Sequence, residues 1–278
     1  MHNKKKTLLY IMETLEQIRP TAVTVVLARR GAGKTYLVGS LIHRWLQQKR
    51  MQHQSIVLFS STANASDDFS FLPDEYQHVY SDELLLKVMA FQKKRIQLQK
   101  RRAKASKQDS CVLSGLTLIM DDVFSSSANA KSIMHSKPII QLFTQSRHWK
   151  ISCFFLVQYP KFLMSPLARS QIQYLLVSNL SEESTRIAWS LTTGKDWNSF
   201  KREVADLDGH EFLMFDGVRR ESGDARWSKV VAPPDFTGRF LVRHAKSMSR
   251  KEIQQQQKPD NNDSDHKKDH SKKEKKNK

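Results

Sequence analysis

The stretch Val25–Thr35 reads VVLARRGAGKT, and it decides the fold of this chain. An apolar, β-branched run, TAVTVVL at 21–27, ends abruptly in a loop that closes on Gly-Lys-Thr. The next segment, TYLVGSLIHRWLQQ at 35–48, has apolar residues at helical spacing. A strand, a glycine-bearing loop ending in Gly-Lys-Thr and a helix are the parts of a P-loop, so the stretch predicts a nucleotide-binding α/β domain.

The loop itself is the predicted phosphate site, because successive backbone N–H groups and a helix N-terminus point at one anion. Lys34 is expected to reach the β- and γ-phosphates, and the Thr35 hydroxyl to bind Mg²⁺. A strict motif begins with glycine, and the small residue Ala28 takes that position here. The competing interpretation is a helix start that contains Gly-Lys-Thr by chance. The predicted nucleotide contacts are Ala28, Arg29, Arg30, Gly31, Ala32, Gly33, Lys34 and Thr35.

A second apolar run, LTLIM at 116–120, ends in Asp121-Asp122. This pattern predicts a Walker B strand, in which the first acid belongs to the Mg²⁺ site. Asp122 is then the candidate to polarise the attacking water, since a base must lie within hydrogen-bond reach of it. The alternative is an ordinary turn after a core strand, where aspartate is common.

A third apolar run, ISCFFLV at 151–157, ends in Gln158. Because the carboxyl ends of parallel strands converge on one crevice, Gln158 is expected to sense the γ-phosphate or position water. Arg147 and His148 stand just upstream, at the end of a helix predicted over 132–149. Arg147 fits two roles, an arginine finger for a neighbouring subunit or a cation at a helix C-terminus. For His148, the histidine nearest the proposed site, we expect packing or solvent contact.

These segments, in this order, resemble the HerA/FtsK superfamily of P-loop motors. The closer likeness is to its viral branch, the poxvirus-type genome-packaging ATPases of large DNA viruses and virophages. The resemblance spans Val23–Phe215, and its most specific part is SRHWKISCFFLVQ at 146–158, an arginine shortly before a strand that ends in glutamine. It implies that Lys34 and Thr35 bind the nucleotide and Mg²⁺, that Asp121 binds Mg²⁺, and that Asp122 acts in hydrolysis. It also implies that Gln158 senses the γ-phosphate and that Arg147 is the arginine finger supplied in trans.

The chain carries 46 Lys+Arg against 28 Asp+Glu, a net charge of +18, which favours a polyanionic partner. The positive excess does not depend on residues 246–278, because the rest of the chain still has 35 basic and 22 acidic residues. Much of it falls in the second half of a helix predicted over 82–108, which is either a DNA contact or a solvated surface. The candidate DNA-binding residues are Lys93, Lys94, Arg95, Lys100, Arg101 and Arg102.

We predict a three-layer α/β P-loop NTPase with a mostly parallel central sheet. Residues 1–20 form an N-terminal helical extension, 21–245 the ATPase domain and 246–278 a disordered basic tail. Glu211–Phe215 is expected to be the last core strand, with an irregular surface segment at 223–238 and a mobile loop at 125–130. No apolar run reaches the roughly 20 residues of a membrane span, so no membrane partner is expected. Two cysteines fit a reducing compartment.

The resemblance implies an ATP- and Mg²⁺-dependent enzyme that moves double-stranded DNA into a preformed capsid. It also implies a homo-oligomeric ring, capsid or portal-vertex partners, and a viral protein of the host cytoplasm, the assembly site or the virion. Two alternatives stay open. One is another HerA/FtsK-type motor, as in phage assembly or conjugation, and the other is a non-catalytic DNA-binding virion protein.

Overall fold

The computed structural model describes residues 18–48, 51, 55–60, 69, 72–105, 114–124, 133, 135–160, 165–192, 195–218 and 227–232. All of them belong to the first of the two units into which the chain divides, residues 1–237. Three sequence predictions lie outside the described residues: the helix before residue 18, the loop at 125–130 and the tail at 246–278.

The described strands are β1 (Val23–Leu27), β2 (Ile56–Ser60), β3 (Gln77–His78), β4 (Leu116–Asp121), β5 (Ile151–Val157), β6 (Tyr174–Val177), β7 (Glu211–Asp216) and β8 (Trp227–Val231). They form one eight-stranded sheet in the order β3-β2-β4-β5-β1-β6-β7-β8. The first six strands in this order are mutually parallel, whereas β7 runs antiparallel to β6 and β8 antiparallel to β7. This arrangement confirms the predicted α/β class with a mostly parallel sheet.

Helices cover both faces of the sheet, because its central strands are apolar on both sides. On one face Trp45 of the first helix contacts Phe154 of β5, with ring centroids 6.0 Å apart. On the other face Phe143 stacks on Phe155 at 5.0 Å. The described α-helices are α1 (Lys34–Gln47), α2 (Asp82–Ala105), α3 (Lys137–Gln145), α4 (Pro166–Gln171), α5 (Glu182–Ser190) and α6 (Trp197–Ala205).

The central strands β1 and β5 are buried along their whole length, which explains their uninterrupted apolar sequences. Because an antiparallel pair ends the sheet, the start of β7 and the end of β8 lie at the same edge as the carboxyl ends of the parallel strands. Chain segments from both sides of β1 therefore meet at the carboxyl ends of the parallel strands.

The observed elements differ from the sequence interpretation at one end of the sheet. Glu211–Asp216 is not the last strand, since Trp227–Val231 pairs beside it inside the segment expected to be irregular. This edge strand is only partly buried, so its sequence WSKVV carries a weak apolar pattern. The short helices α4 and α6 were not predicted either, and α3 is shorter than the helix expected over 132–149. Within the described ranges, none of the helices combines the length and apolar character that a membrane span requires.

Candidate nucleotide-binding and catalytic site

The candidate site lies at the carboxyl-terminal ends of the parallel strands, which we call the carboxyl edge of the sheet. Strands β1, β4 and β5 end there side by side. The strand register aligns Leu27 with Val157, and Asp121 with Leu156. The loop after β1 and the polar residues after β4 and β5 consequently emerge next to one another. The tertiary structure brings together the three segments that the sequence analysis singled out.

The loop from Ala28 to Gly33 is shaped by its glycines. Gly31 and Gly33 have φ values of 78° and 85°, in the left-handed region that glycine tolerates best. The N–H of Leu37 donates to the carbonyl of Gly33 at 2.9 Å, which starts α1. Ala28 is not among the three described non-glycine residues with positive φ. Its N–H instead donates to the Val157 carbonyl at 3.1 Å, so the first motif position continues the sheet and has no need of glycine.

Lys34 is a buried residue, at 7% exposure, and its side chain folds back over the loop. Its Nζ donates to the carbonyl oxygens of Ala28 and Arg29, each at 3.1 Å. Burial lowers the pKa of Lys34 from its ordinary value, and the negative charges of Asp122 and Asp121 oppose that shift. The ammonium group is therefore held inside the loop and feels both carboxylates.

The carboxylates occupy two different positions at the end of β4. Asp121 is the last residue of the strand, aligned with Ser60 of β2, whereas Asp122 has left the strand with a φ of 51°. Aspartate adopts this left-handed conformation more readily than glutamate or β-branched residues. The N–H of Asp122 donates to the Leu156 carbonyl at 3.1 Å, and its carboxylate accepts a hydrogen bond from the Gln158 amide. Asp122 is thus fixed by β5 at both its backbone and its side chain.

The donor atoms at this edge fit Mg²⁺. Thr35, the second residue of α1, carries a hydroxyl oxygen, and Asp121 ends β4 with a carboxylate. Mg²⁺ is commonly held by one or two protein oxygens, with water and substrate phosphates completing its shell. Among the residues that the structure describes, no three His, Cys, Asp or Glu side chains form a self-sufficient metal cluster. Thr35 and Asp121 together therefore suit a Mg²⁺ ion that arrives already bound to a phosphate.

Arg147 and His148 lie at the opposite edge of the sheet. Both are exposed and occur in the turn that precedes β5, so the length of the strand separates them from the P-loop. β5 has seven residues, which at about 3.3 Å per residue amounts to roughly 20 Å. Arg147 is therefore out of reach of the P-loop of its own chain. His148 does not lie beside the site, contrary to our expectation, although its exposure agrees with the expected solvent contact.

His210 does lie beside the P-loop, although no sequence motif singled it out. If Gly33 had a Cβ atom, that atom would be only 2.7 Å from His210 Nδ1, so the imidazole lies directly against Gly33. His210 is exposed and immediately precedes β7. No local motif marks it, because β7 reaches this edge only through its antiparallel pairing with β6.

The candidate DNA-binding residues on α2 fall into two groups. The guanidinium of Arg95 donates to the Gly115 carbonyl at 2.8 Å, and the Lys93 ammonium lies 5.0 Å from the centre of the Trp149 ring. These two residues therefore contribute to packing at the amino edge of the sheet. The other four are exposed residues of the helix: Lys94, Lys100, Arg101 and Arg102.

The sequence matches the family model described as Poxvirus A32 protein over residues 16–192. The matched region includes the P-loop, the paired acids, Arg147 and Gln158. Among curated proteins, none matches the chain at a significant level of sequence similarity.

Several solved structures share the fold at low sequence identity. The genome packaging NTPase B204 from Sulfolobus turreted icosahedral virus 2, in complex with sulfate, is 14% identical with a TM-score of 0.51, over 78% of this chain and 98% of that one. The pCW3 conjugation coupling protein TcpA with ATPγS is 11% identical with a TM-score of 0.54, over 81% and 65%. The cytoplasmic domain of the Thermomonospora curvata type VII secretion ATPase EccC is 11% identical with a TM-score of 0.53, over 80% and 27%. These similarities establish the P-loop NTPase fold.

Proposed function

The chain belongs to the Poxvirus A32 protein family, and on this premise we propose that it is an ATPase that drives double-stranded DNA into a viral capsid. One observation carries the proposal. Lys34 of the P-loop, the acids at the end of β4 and Gln158 at the end of β5 meet at one edge of the sheet, with Gln158 hydrogen-bonded to Asp122. The viral packaging NTPase B204 has the same fold over 98% of its length.

In the proposed mechanism the P-loop binds the phosphates of ATP through its backbone N–H groups and the N-terminus of α1. The Lys34 ammonium, now on loop carbonyls, would exchange those acceptors for phosphate oxygens. Mg²⁺, bound with ATP, would be held by Thr35 and Asp121 and would offset the charge of the phosphates.

Hydrolysis requires a water molecule aligned with the γ-phosphate. In the proposal Asp122 accepts the hydrogen bond that orients this water, and Gln158 fixes the carboxylate from the neighbouring strand. The contact also lets Gln158 report on the state of the site, because a change in the Asp122 partner alters the Gln158 hydrogen bond. Catalysis then consists mainly of positioning and charge stabilisation.

A homo-oligomeric ring is part of the proposal. Arg147 lies at the edge opposite its own P-loop, so it would act only on the nucleotide of a neighbouring copy. A neighbour whose amino edge faces this carboxyl edge would supply the guanidinium to the transition-state charge. ATP turnover would then depend on assembly of the ring.

Contact with DNA is assigned to the exposed basic residues of α2. With 24 residues, the helix is about 36 Å long. Arg95, in its second half, contacts the amino end of the sheet at Gly115, and the helix continues to Ala105. Lys94, Lys100, Arg101 and Arg102 would bind phosphates without reading base sequence. As a viral protein acting on the genome and the capsid, the enzyme would work at the assembly site or in the host cytoplasm.

The decisive experiment measures ATP hydrolysis by the full chain with and without double-stranded DNA. We expect basal hydrolysis that DNA stimulates, and no hydrolysis by Lys34→Ala at an unchanged circular-dichroism spectrum. Absence of wild-type hydrolysis under both conditions, with the chain folded, would instead favour a non-catalytic DNA-binding protein of the particle.

A second candidate function is a motor of the conjugation or secretion kind, since TcpA and EccC share the fold. Translocation assays distinguish these motors. A packaging enzyme should be stimulated by double-stranded DNA and displace a bound third strand from it. A motor for single strands or proteins should show neither effect.

A further inference from the structure

A contact between two distant parts of the chain borders the P-loop. His210 Nδ1 would be 2.7 Å from a Cβ on Gly33, and the Ala232 Cβ would be 3.6 Å from it. The start of β7 and the end of β8 therefore lie against the glycine that precedes Lys34. The nucleotide-hydrolysis scheme described above uses neither segment.

The turn that carries His210 is held in place by several interactions. The Ala232 N–H donates to the His210 carbonyl at 2.8 Å. The Glu211 carboxylate pairs with Lys229 at 2.5 Å and also accepts the Asp208 N–H at 3.0 Å. The imidazole is consequently an exposed side chain on a fixed backbone, which suits a positioning role.

The strand order indicates which part of a nucleotide would approach this turn. Asp121, Asp122 and Gln158 follow β4 and β5, which lie on one side of β1. The phosphate to be hydrolysed must face these residues. The other end of the nucleotide then extends toward the opposite side of β1, where β6, β7 and β8 lie, and where His210 borders the loop.

We propose that His210 contacts the nucleoside portion of bound ATP, its ribose or base, and so positions the nucleotide along the P-loop. This inference rests on the proposed ATPase function. An imidazole suits the task because its nitrogens donate and accept hydrogen bonds and its ring face packs on a base. The bound ligand class is a purine nucleotide, and the contact lies beyond the phosphates.

Binding of two ligands by the full chain tests the inference. ATP carries the nucleoside, whereas inorganic tripolyphosphate carries only the phosphate chain. Isothermal titration with His210→Ala should show about fivefold to tenfold weaker ATP binding, the effect of one lost contact, and unchanged tripolyphosphate binding. In turnover, the KM for ATP should rise while kcat stays near that of the wild type.

The matched control is His148→Ala, which removes an exposed histidine at the opposite edge and should bind both ligands as the wild type does. His210→Asn, which stays polar but lacks the imidazole ring face and Nε2, is a second variant that should show the same split between ligands if His210→Ala folds poorly. Equal weakening of ATP and tripolyphosphate in both variants would reduce His210 to a support for the loop and overturn the inference. Unchanged ATP binding in folded His210→Ala would overturn it as well. Wild-type protein that binds neither ligand would overturn the proposed function itself.

Discussion

The side-chain amide of Gln158 donates a hydrogen bond to the carboxylate of Asp122, joining the ends of β5 and β4. The two residues are 36 positions apart in the sequence. The Asp122 N–H also donates to the Leu156 carbonyl of β5, so both the backbone and the side chain of Asp122 depend on the neighbouring strand. A displacement of β5 would move the proposed water-orienting group directly.

A double-mutant cycle over Asp122→Ala and Gln158→Ala measures this coupling, because each substitution removes one partner of the hydrogen bond. We expect Asp122→Ala to reduce kcat by about 10²- to 10⁴-fold, the usual contribution of a catalytic base, with near-normal ATP binding. The coupling energy from kcat/KM should be about 1.5–3 kcal/mol, as for a hydrogen bond to a charged group. Additive effects of the two substitutions would mean that the residues act independently.

Lys34→Met should abolish hydrolysis without reducing the stability of the protein. The ammonium is buried, and its lowered pKa shows that the folded state disfavours its charge. Removal of the charge therefore relieves an unfavourable burial while eliminating phosphate contact. Thermal unfolding should give a Tm equal to or above that of the wild type. Hydrolysis should fall by at least about 10²-fold, and retained turnover would refute the P-loop assignment.

The stability difference between Lys34→Met and the wild type should depend on pH. Because the folded-state pKa lies below the ordinary value of 10.5, the unfolded wild type binds more protons than the folded form as pH rises between these two values. Wild-type stability therefore increases with pH in that window. The advantage of Lys34→Met should be largest below the folded-state pKa and should disappear as the pH approaches 10.5. Urea unfolding at a series of alkaline pH values measures this stability difference. A difference that grows with pH would contradict the predicted direction.

Arg147→Ala should bind ATP normally and hydrolyse it slowly, because Arg147 lies roughly 20 Å from its own P-loop along β5. Mixing it with Lys34→Ala subunits should restore part of the activity. An Arg147-intact neighbour would then complete a site with an intact Lys34. The matched control is Arg202→Ala, an exposed arginine on α6, which should need no rescue. Mixed rings without recovered activity would count against action in trans.

The basic helix predicts a specific change in the salt dependence of DNA binding. Charge reversal of Lys100, Arg101 and Arg102 should lower the slope of log K against log salt by about 0.9 per lost phosphate contact. Arg95→Ala should instead lower stability, since Arg95 bonds to the Gly115 carbonyl.

Two controls accompany the measurement. Reversal of Arg186, Lys201 and Arg202 on α5 and α6 matches the change in net charge. Truncation after Ser247 removes the basic tail. If truncation alone abolishes binding and the α2 variant retains the wild-type slope, the tail is the DNA contact and α2 is a solvated surface.

Cys153 should be inert to thiol reagents in the folded protein. It is fully buried in β5, and burial raises the pKa of its thiol. In a Cys111→Ser background, Ellman's reagent should label Cys153 only after denaturation. Rapid labelling of the native protein would show that β5 opens readily.

The sequence by itself was sufficient to predict the P-loop, the three strands that carry the site residues, and the α/β class. Their signals are local, since Val25–Thr35, Leu116–Asp122 and Ile151–Gln158 each join an apolar run to the polar residues beside it. A central strand buried on both faces leaves a continuous apolar pattern that needs no tertiary information to interpret. The assigned roles of Asp122, Gln158 and Arg147 remain predictions.

Only the tertiary structure decided which distant residues share an edge. It brought Gln158 to Asp122, placed Arg147 and His148 at the far end of β5, and brought His210 to Gly33. It also separated Lys93 and Arg95, which contact Trp149 and Gly115 just before β5 and β4, from the other candidate basic residues of α2. Strand order and direction set these relationships. They depend on pairing across the sheet between residues far apart in the sequence, which no local pattern of residues records.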